Sequence, residues 1–522
     1  MKKTERFFNL LLSFLLITSL FIGSGCTKEE FIDDGKNGTG TTPNGGDETP
    51  SETLSFEWIS EINDNAPEIM SPGNSISLSY KAENAESVTL SGTPEGWEAK
   101  VDAETATIYI KAPANGQNQQ FNLTVSIKGT DGTEQKEEVP VYYIASFDES
   151  KGTFILNEGN MTTENGSLTY ITPEGYVIED AYKLINGTEL GNVCQDMYIH
   201  DGKIYIISQN GDKNPVGTKF ENDGTLVIAD AKTLKKIDSY KKEELSGLTW
   251  PSHIAVLDEE HVYIRDNGVA EGDNGSGKIW RLNTKDRSLN EVQETTGVPK
   301  SPLFVRNGKI YTYTYTSGFL SYFNLLEIST SSDKATINKT MMFNAIPVNI
   351  VPTKQENTFW VLLKSDKEER YSIGKTTITA PGKISLPKSV VLEDTPNTGA
   401  SGRMLISPSD DTFYYTSASY IIKGTYAESG AGTSDGTKPV VTTEALLDLT
   451  ELDPDAREVY NGMGIHPETG HIYINTIKGM GTLYTTNQIW EFDFNQSATE
   501  PVNKWSNCTR FPAGFFFPTI NQ

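Results

Sequence analysis

The sequence is poor in the residues that most enzymes rely on. It holds 3 cysteines and 5 histidines among 522 residues, too few for a disulfide-framed scaffold or a histidine-rich metal centre. No HExxH motif, no paired-cysteine ligand set and no serine elbow between strand and helix occurs, so no metal site or nucleophile is expected and the chain does not read as an enzyme. Positive charge is also scarce, with 44 Lys and Arg against 70 Asp and Glu and a formal net charge of −26. A field of that sign works against nucleic acid and anionic headgroups as partners, although solubility alone is a sufficient reason for it. Long apolar runs are missing as well. The stretch from Phe7 to Ile22 is about 16 residues, and a membrane span needs about 20.

What is present is turn and strand material. The chain has 45 Gly, 24 Pro and 10% aromatic residues, which predicts many short strands and an all-β fold. The N-terminal stretch has its own logic: Lys2, Lys3 and Arg6, then the apolar run, then Gly23-Ser24-Gly25-Cys26. Small residues directly before a cysteine predict an export signal over residues 1–25 and acylation of Cys26, although Gly23 stands where a bacterial lipobox more often has Leu. Several acyl chains at Cys26 would make a lasting membrane anchor. Glu29-Glu30 and Asp33-Asp34 resemble the acidic signal that sends some lipoproteins to the outer face of an outer membrane. Residues 26–52, rich in Gly, Thr, Asn, Pro and acids, read as a flexible tether.

Alternating segments then appear, among them 75–80, 87–90, 107–110 and 121–127. Strands at that spacing over residues 53–146 predict an immunoglobulin-like β-sandwich with a spacer role. Beyond it, aromatic triplets recur: Phe154-Ile155-Leu156, Ile204-Tyr205-Ile206, Val262-Tyr263-Ile264, Ile310-Tyr311-Thr312, Phe359-Trp360-Val361, Phe413-Tyr414-Tyr415 and Ile472-Tyr473-Ile474, with steps of 48 to 59 residues. Most follow a tight turn such as Asp201-Gly202-Lys203 or Asn307-Gly308-Lys309. A period near 50 built from strands predicts a seven-bladed β-propeller over residues 147–522, each triplet lying in the second strand of a blade. Trp250-Pro251, Val298-Pro299 and Ile346-Pro347 each precede an expected inner strand, and Phe511-Pro512 has the same form. The segment ending at Phe517 is therefore expected to supply the inner strand of the blade that begins at Thr153. Cys194 and Cys508 precede neighbouring inner strands, and both a disulfide and two unpaired buried thiols stay open.

Loops from second to third strand, and from each outer strand to the next blade, should open on one face. Those loops carry Asn157, Glu158 and Asn160; Ser208, Gln209 and Asn210; Trp250 and His253; Arg265, Asp266 and Asn267; Tyr315, Phe319 and Tyr322; Lys364; Arg403; Tyr420; and Lys478. Aromatics mixed with amides predict a site for a large, partly flat, polar-rimmed molecule, with Asn160, Gln209, Asn210, Trp250, His253, Arg265, Asn267, Tyr315, Phe319, Arg403 and Tyr420 as the ligand-binding set. The plainer reading of any one of them is turn formation or rim packing. The other four histidines, His200, His261, His466 and His471, flank hairpin turns on the opposite face, and Glu271 to Gly275 reads as a surface turn rather than a calcium loop.

Three segments carry a resemblance: Phe154 to Asn160, Asn165 to Leu168, and Gly191 to Met197, together with Phe511 to Phe517. They resemble the surface-lipoprotein β-propellers that include BtuG, the vitamin B12 capture protein, and more distantly the YncE-like propellers, over about residues 150 to 522. That resemblance implies capture of a scarce small molecule, a corrinoid in the best-known case, and its delivery to a TonB-dependent outer-membrane transporter. The added sandwich departs from the propeller-only arrangement. Ferric siderophore, haem or glycan as cargo, or an adhesion and protein-interaction role, are the alternatives, and no cofactor is expected.

Overall fold

Alternation of apolar and polar side chains sets the strands. Ser75–Glu83 reads SISLSYKAE and buries Leu78 and Tyr80 from one side, as a half-buried strand should. In the computed structural model, residues 53–63, 66–213, 215, 221–268, 277–398, 402–428 and 438–518 are described. Residues 1–52, with Cys26, and the turn at Glu271 to Gly275 lie outside them. The described chain is nearly all β, with two short helices, Ala181–Asn186 and Leu449–Leu452, and one 3-10 turn. No helix among the described residues is long and apolar enough to cross a membrane.

The first strands form two four-stranded sheets. One orders Ser55–Trp58, Ser75–Glu83, Thr107–Lys111 and Glu98–Asp102; the other orders Glu68–Met70, Glu134–Tyr143, Gln119–Gly129 and Ala85–Ser91. Both sheets feed one core that includes Leu78, Ile108, Ile110, Val125, Val141 and Tyr143, with Trp97 edge-on to Tyr143.

From Thr153 onward the strands fall into antiparallel groups, each built from consecutive segments. Asn192–His200, Lys203–Gly211, Leu226–Asp230 and Lys236–Tyr240 make one; Pro251–Asp258, His261–Asp266, Lys278–Leu282 and Leu289–Glu291 the next; Glu458–Ile465, Ile472–Ile477, Asn487–Phe492 and Asn503–Ser506 a third of the same form. The group opening at Phe304–Arg306 and the group opening at Ala345–Pro352 are fused into one larger sheet through Lys383–Ile384. Every aromatic triplet lies in the second strand of its group except one. In the group of Thr412–Ser417, Tyr420–Ala427 and Val440–Asp448, the triplet strand comes first, and the expected strand before it is reduced to a single bridge between Ile406 and Tyr414. Three residues before that bridge, Arg403 reaches across to Asp196.

The remaining group joins distant parts of the chain. Pro512–Phe516 pairs antiparallel with Thr153–Asn157, Phe515 opposite Ile155, and Ser167–Ile171 and Val177–Ile178 complete the sheet.

Residues from Thr53 onward make one compact unit. Tyr142, Ile144 and Phe147 run from the last strand of the first two sheets directly into the core that holds Phe154, Leu168 and Tyr170. Polar contacts reinforce that junction: Phe147 N donates to Lys232 O at 2.7 Å, Tyr142 Oη to Glu174 at 3.0 Å, and Tyr176 Oη to Gln120 at 2.9 Å.

Candidate functional site

The site is built by a defect that recurs from group to group. Near the start of the opening strand, the register shifts between Cys194 and Asp196, Pro251 and His253, Pro347 and Asn349, Val459 and Met463, and Pro512 and Gly514. Each shift is a bulge that re-aims the side chains beside it. The backbone enters the left-handed region at Val193 (φ 57), Asn461 (φ 58) and Phe511 (φ 55), a strained conformation for a β-branched residue such as Val193. The side chains delivered there are buried and polar: Gln195, Asp196, His253, Asn349 and Asn461.

Asp196 is the hub. Its Oδ1 accepts from Arg403 Nη2 at 2.6 Å and from Met197 N at 3.0 Å, and its Oδ2 accepts from Ile254 N at 3.2 Å and lies 3.0 Å from His253 Nδ1. Burial pushes the Asp196 carboxyl up, but the Arg403 guanidinium and the hydrogen bonds from His253 and Ile254 outweigh it, so the group sits below its ordinary range. His253 has no exposed surface, and burial drives its pKa down to about 4 against the pull of Asp196. The imidazole is therefore neutral, donating from Nδ1 to Asp196, while Nε2 has no partner. Arg403 also donates to Ala513 O at 3.3 Å and lies over the Phe516 ring. A Cβ at Gly514 would come within 3.3 Å of its guanidinium, so the closing strand is glycine where the arginine passes.

A buried acid and a buried base, Glu158 and Lys300, lie near that pair. Glu158 Oε1 accepts from Asn461 Nδ2 at 2.9 Å. Burial raises the Glu158 carboxyl, with the Lys300 ammonium and hydrogen bonds from Asn461, Tyr460 and Gln195 only partly offsetting it. Burial likewise lowers Lys300, and the neighbouring Arg265 and Arg403 lower it further. Two carboxylates and two cations thus converge from segments that are hundreds of residues apart in sequence.

The residues expected to hold ligand divide into interior and rim. Gln209, His253 and Arg265 are buried. Arg265 donates to Ser252 Oγ at 3.2 Å, Val298 O at 3.0 Å and Asn267 Oδ1 at 3.2 Å, in a space left by Gly277, and burial lowers its pKa to about 10. Asn160 Oδ1 accepts from Thr162 in a local turn, and Asn210 Nδ2 donates to Asn192 Oδ1 at 2.8 Å. Trp250 is half-buried, its backbone held by Asp266 Oδ1 at 2.6 Å, and Tyr315 is half-buried against the core of Tyr313 and Phe323. Phe319 is fully exposed and Tyr420 is 44% exposed, its hydroxyl bonded to Asp448. Of the expected set, the structure brings His253 and Arg403 together around Asp196 and joins Arg265 to Asn267. Lys300, Tyr460 and Asn461 were not among the expected residues; the Val298-Pro299 pair marks the first segment in sequence, and nothing marks the other two.

The segments that carry the resemblance supply Glu158, Gln195 and Asp196 to the site, and their other residues are packing devices. Asn157 Nδ2 donates to Ser167 and Thr169, while its Oδ1 accepts from Arg510 N. A Cβ on Gly159 would lie 2.1 Å from Asn165 O, one on Gly166 2.3 Å from Cys194 Sγ, and one on Gly191 2.1 Å from Gly224 O. Cys194 and Cys508 are free, which decides between the two readings of the sequence. They sit in different cores, Cys194 beside Ser208 and Cys508 with Tyr473 and Ile489, and burial pushes both thiols up to about 12.

Two cavities lie below Asp196 and Arg403. One of about 170 Å³ is lined by Met197, Ile199, Ile254, Leu303 and Phe515 among others, and one of about 250 Å³ by Phe304, Val351, Leu405, Ile406, Met463 and Ile465. Arg403 borders both. Between them they touch an opening segment from every strand group after Thr153. A larger groove of about 510 Å³ lies at the hairpin turns around His200 and His261, where Lys203 pairs with Glu259 and Lys285 with Glu260. Among the described residues, no group of three or more His, Cys, Asp or Glu is placed to hold a metal. Residues 151–518 match a family model described as "Domain of unknown function (DUF5074)". No curated protein matches the chain.

Proposed function

We propose, for a chain that belongs to the DUF5074 family, a role in capture: it binds a scarce small molecule of the corrinoid type at a cell surface and passes it to a TonB-dependent outer-membrane transporter. The strand groups after Thr153 are read as the seven blades of a β-propeller. In support, opening segments of all of them meet at two adjoining cavities, and Pro512–Phe516 pairs with Thr153–Asn157. The two sheets before Thr153 are read as an immunoglobulin-like sandwich that holds the ring away from a lipid anchor at Cys26. The acyl anchor and the outer-membrane location rest on the leader and on the acidic residues after Cys26.

The observation that carries the binding role is the convergence of Asp196, Arg403 and His253, with Glu158 and Lys300 near them; Phe319 and Tyr420 are exposed aromatic groups on the strand connections. A polar, largely desolvated cluster, together with aromatic side chains on the connecting loops, suits a flat ligand with polar edges. Asp196 and Arg403 already neutralise each other there, an arrangement that suits holding a ligand's polar edge.

Calorimetry with cobalamin, cobinamide, haem and ferric siderophores tests the reading. Trp250→Ala with Tyr420→Ala should weaken the preferred ligand by about tenfold or more, with the melting temperature nearly unchanged. Failure of every one of these compounds to bind would favour the adhesion reading, and unchanged affinity in the double variant would move the site away from those loops.

A further inference from the structure

The larger of the two cavities below Arg403 has an unusual lining. Phe304, Val351, Ile406 and Ile465 are only partly buried, so some apolar surface there meets solvent. Its polar groups are confined to a few positions. Arg403 borders it, and a guanidinium carries more donors than its bonds to Asp196 and Ala513 O use. Asn349, which is 1% exposed, also lines it. Its Nδ2 donates to Gly402 O at 2.7 Å, and its Oδ1, although buried, has no partner. A buried acceptor without a partner costs about 1–3 kcal/mol unless something supplies a donor. The remaining polar side chain, Ser407, is committed to Ser409 O, Thr412 O and Trp360 Nε1.

We infer that this cavity is a binding site for a small apolar chain ending in a neutral amide. The amide N–H meets Asn349 Oδ1, the amide oxygen takes a free donor of Arg403, and the chain covers Phe304, Leu405, Met463 and Ile465. A carboxylate end offers no donor to Asn349 and gains little from an Arg403 already neutralised by Asp196, and an ammonium end offers no acceptor to Arg403 and buries an unpaired charge. The apolar walls contribute affinity by leaving water, at roughly 25 cal/mol per Å² covered, and the polar end sets the choice. The site shares only Arg403 with the residues of the capture reading and does not depend on it.

Octanamide, octanoate and octylammonium serve as probes of the full chain, with binding followed by ligand-observed NMR. Octanamide should bind about tenfold more tightly than octanoate, and octylammonium should not bind. Ile465→Trp, which fills the cavity, should abolish octanamide binding while leaving the melting curve cooperative. The comparison of the three probes on the unaltered chain stands whether or not the variant folds. Equal binding of all three, no binding of octanamide, or octanamide binding that survives in a folded Ile465→Trp chain would overturn the inference.

Discussion

The protonation of one imidazole follows from its surroundings, and it has a consequence that can be measured. His253 ordinarily titrates near 6.5, and in the folded chain it titrates near 4. Between those values the unfolded chain binds the proton that the folded chain refuses, so stability is fully present above about pH 6.5 and is lost as pH falls towards 4. The difference corresponds to about 3 kcal/mol. Urea melts between pH 4 and 7 should show this slope, and His253→Asn should flatten it while keeping a donor to Asp196. The thiols give a second residue-level expectation. Because Cys194 and Cys508 are buried and their thiolates disfavoured, neither should react with a disulfide reagent in the native state, and both should react on unfolding. A single thiol titrated in urea, or altered gel mobility on reduction, would contradict the free state.

At the scale of strands, much was legible. The aromatic triplets are apolar at both neighbouring positions because their strands are covered on both faces: in Lys203–Gly211, Ile204 through Ile207 are all buried. Turns such as Asp201-Gly202 were legible through their positive φ, 46 and 71. The pairing of Phe515 with Ile155 was legible because Phe511-Pro512 repeats the form of Trp250-Pro251. The site was legible only through Glu158, His253 and Arg403, because bulges make the rest of it. Alternation assigns side chains to faces only while the register holds, and the shifts at Cys194/Asp196, Pro251/His253 and Pro347/Asn349 turn Asp196, His253 and Asn349 off the regular pattern. His253 was accordingly read as a loop residue, whereas it is interior. The closing strand gives the prediction for this scale. A chain ending at Phe511 should leave Thr153–Asn157, with Phe154, Ile155 and Leu156 at its centre, as an open edge and should elute as aggregates in size-exclusion chromatography where the intact chain is monodisperse.

For the molecule as a whole, the junction at Phe147 matters most. Tyr142, Ile144 and Phe147 belong to the same core as Phe154 and Leu168, and Phe147 stacks edge-on against Tyr170 at 5.2 Å. The sheets on either side should therefore melt in one transition. Phe147→Ala removes a fully buried ring at a cost of about 3–5 kcal/mol, and scanning calorimetry of that variant should resolve two transitions. One sharp transition, merely shifted, would mean that the tyrosine contacts suffice.

Pairing of Pro512–Phe516 with Thr153–Asn157 also has a bearing on biogenesis. A ribosome makes the second partner some 350 residues after the first, so a growing chain cannot complete the sheet of Thr153–Asn157 until residues 512–516 have been made. Closing so long a loop costs chain entropy that only the finished fold repays, which makes this pairing a late step of folding and the slowest contact of the sheet to form.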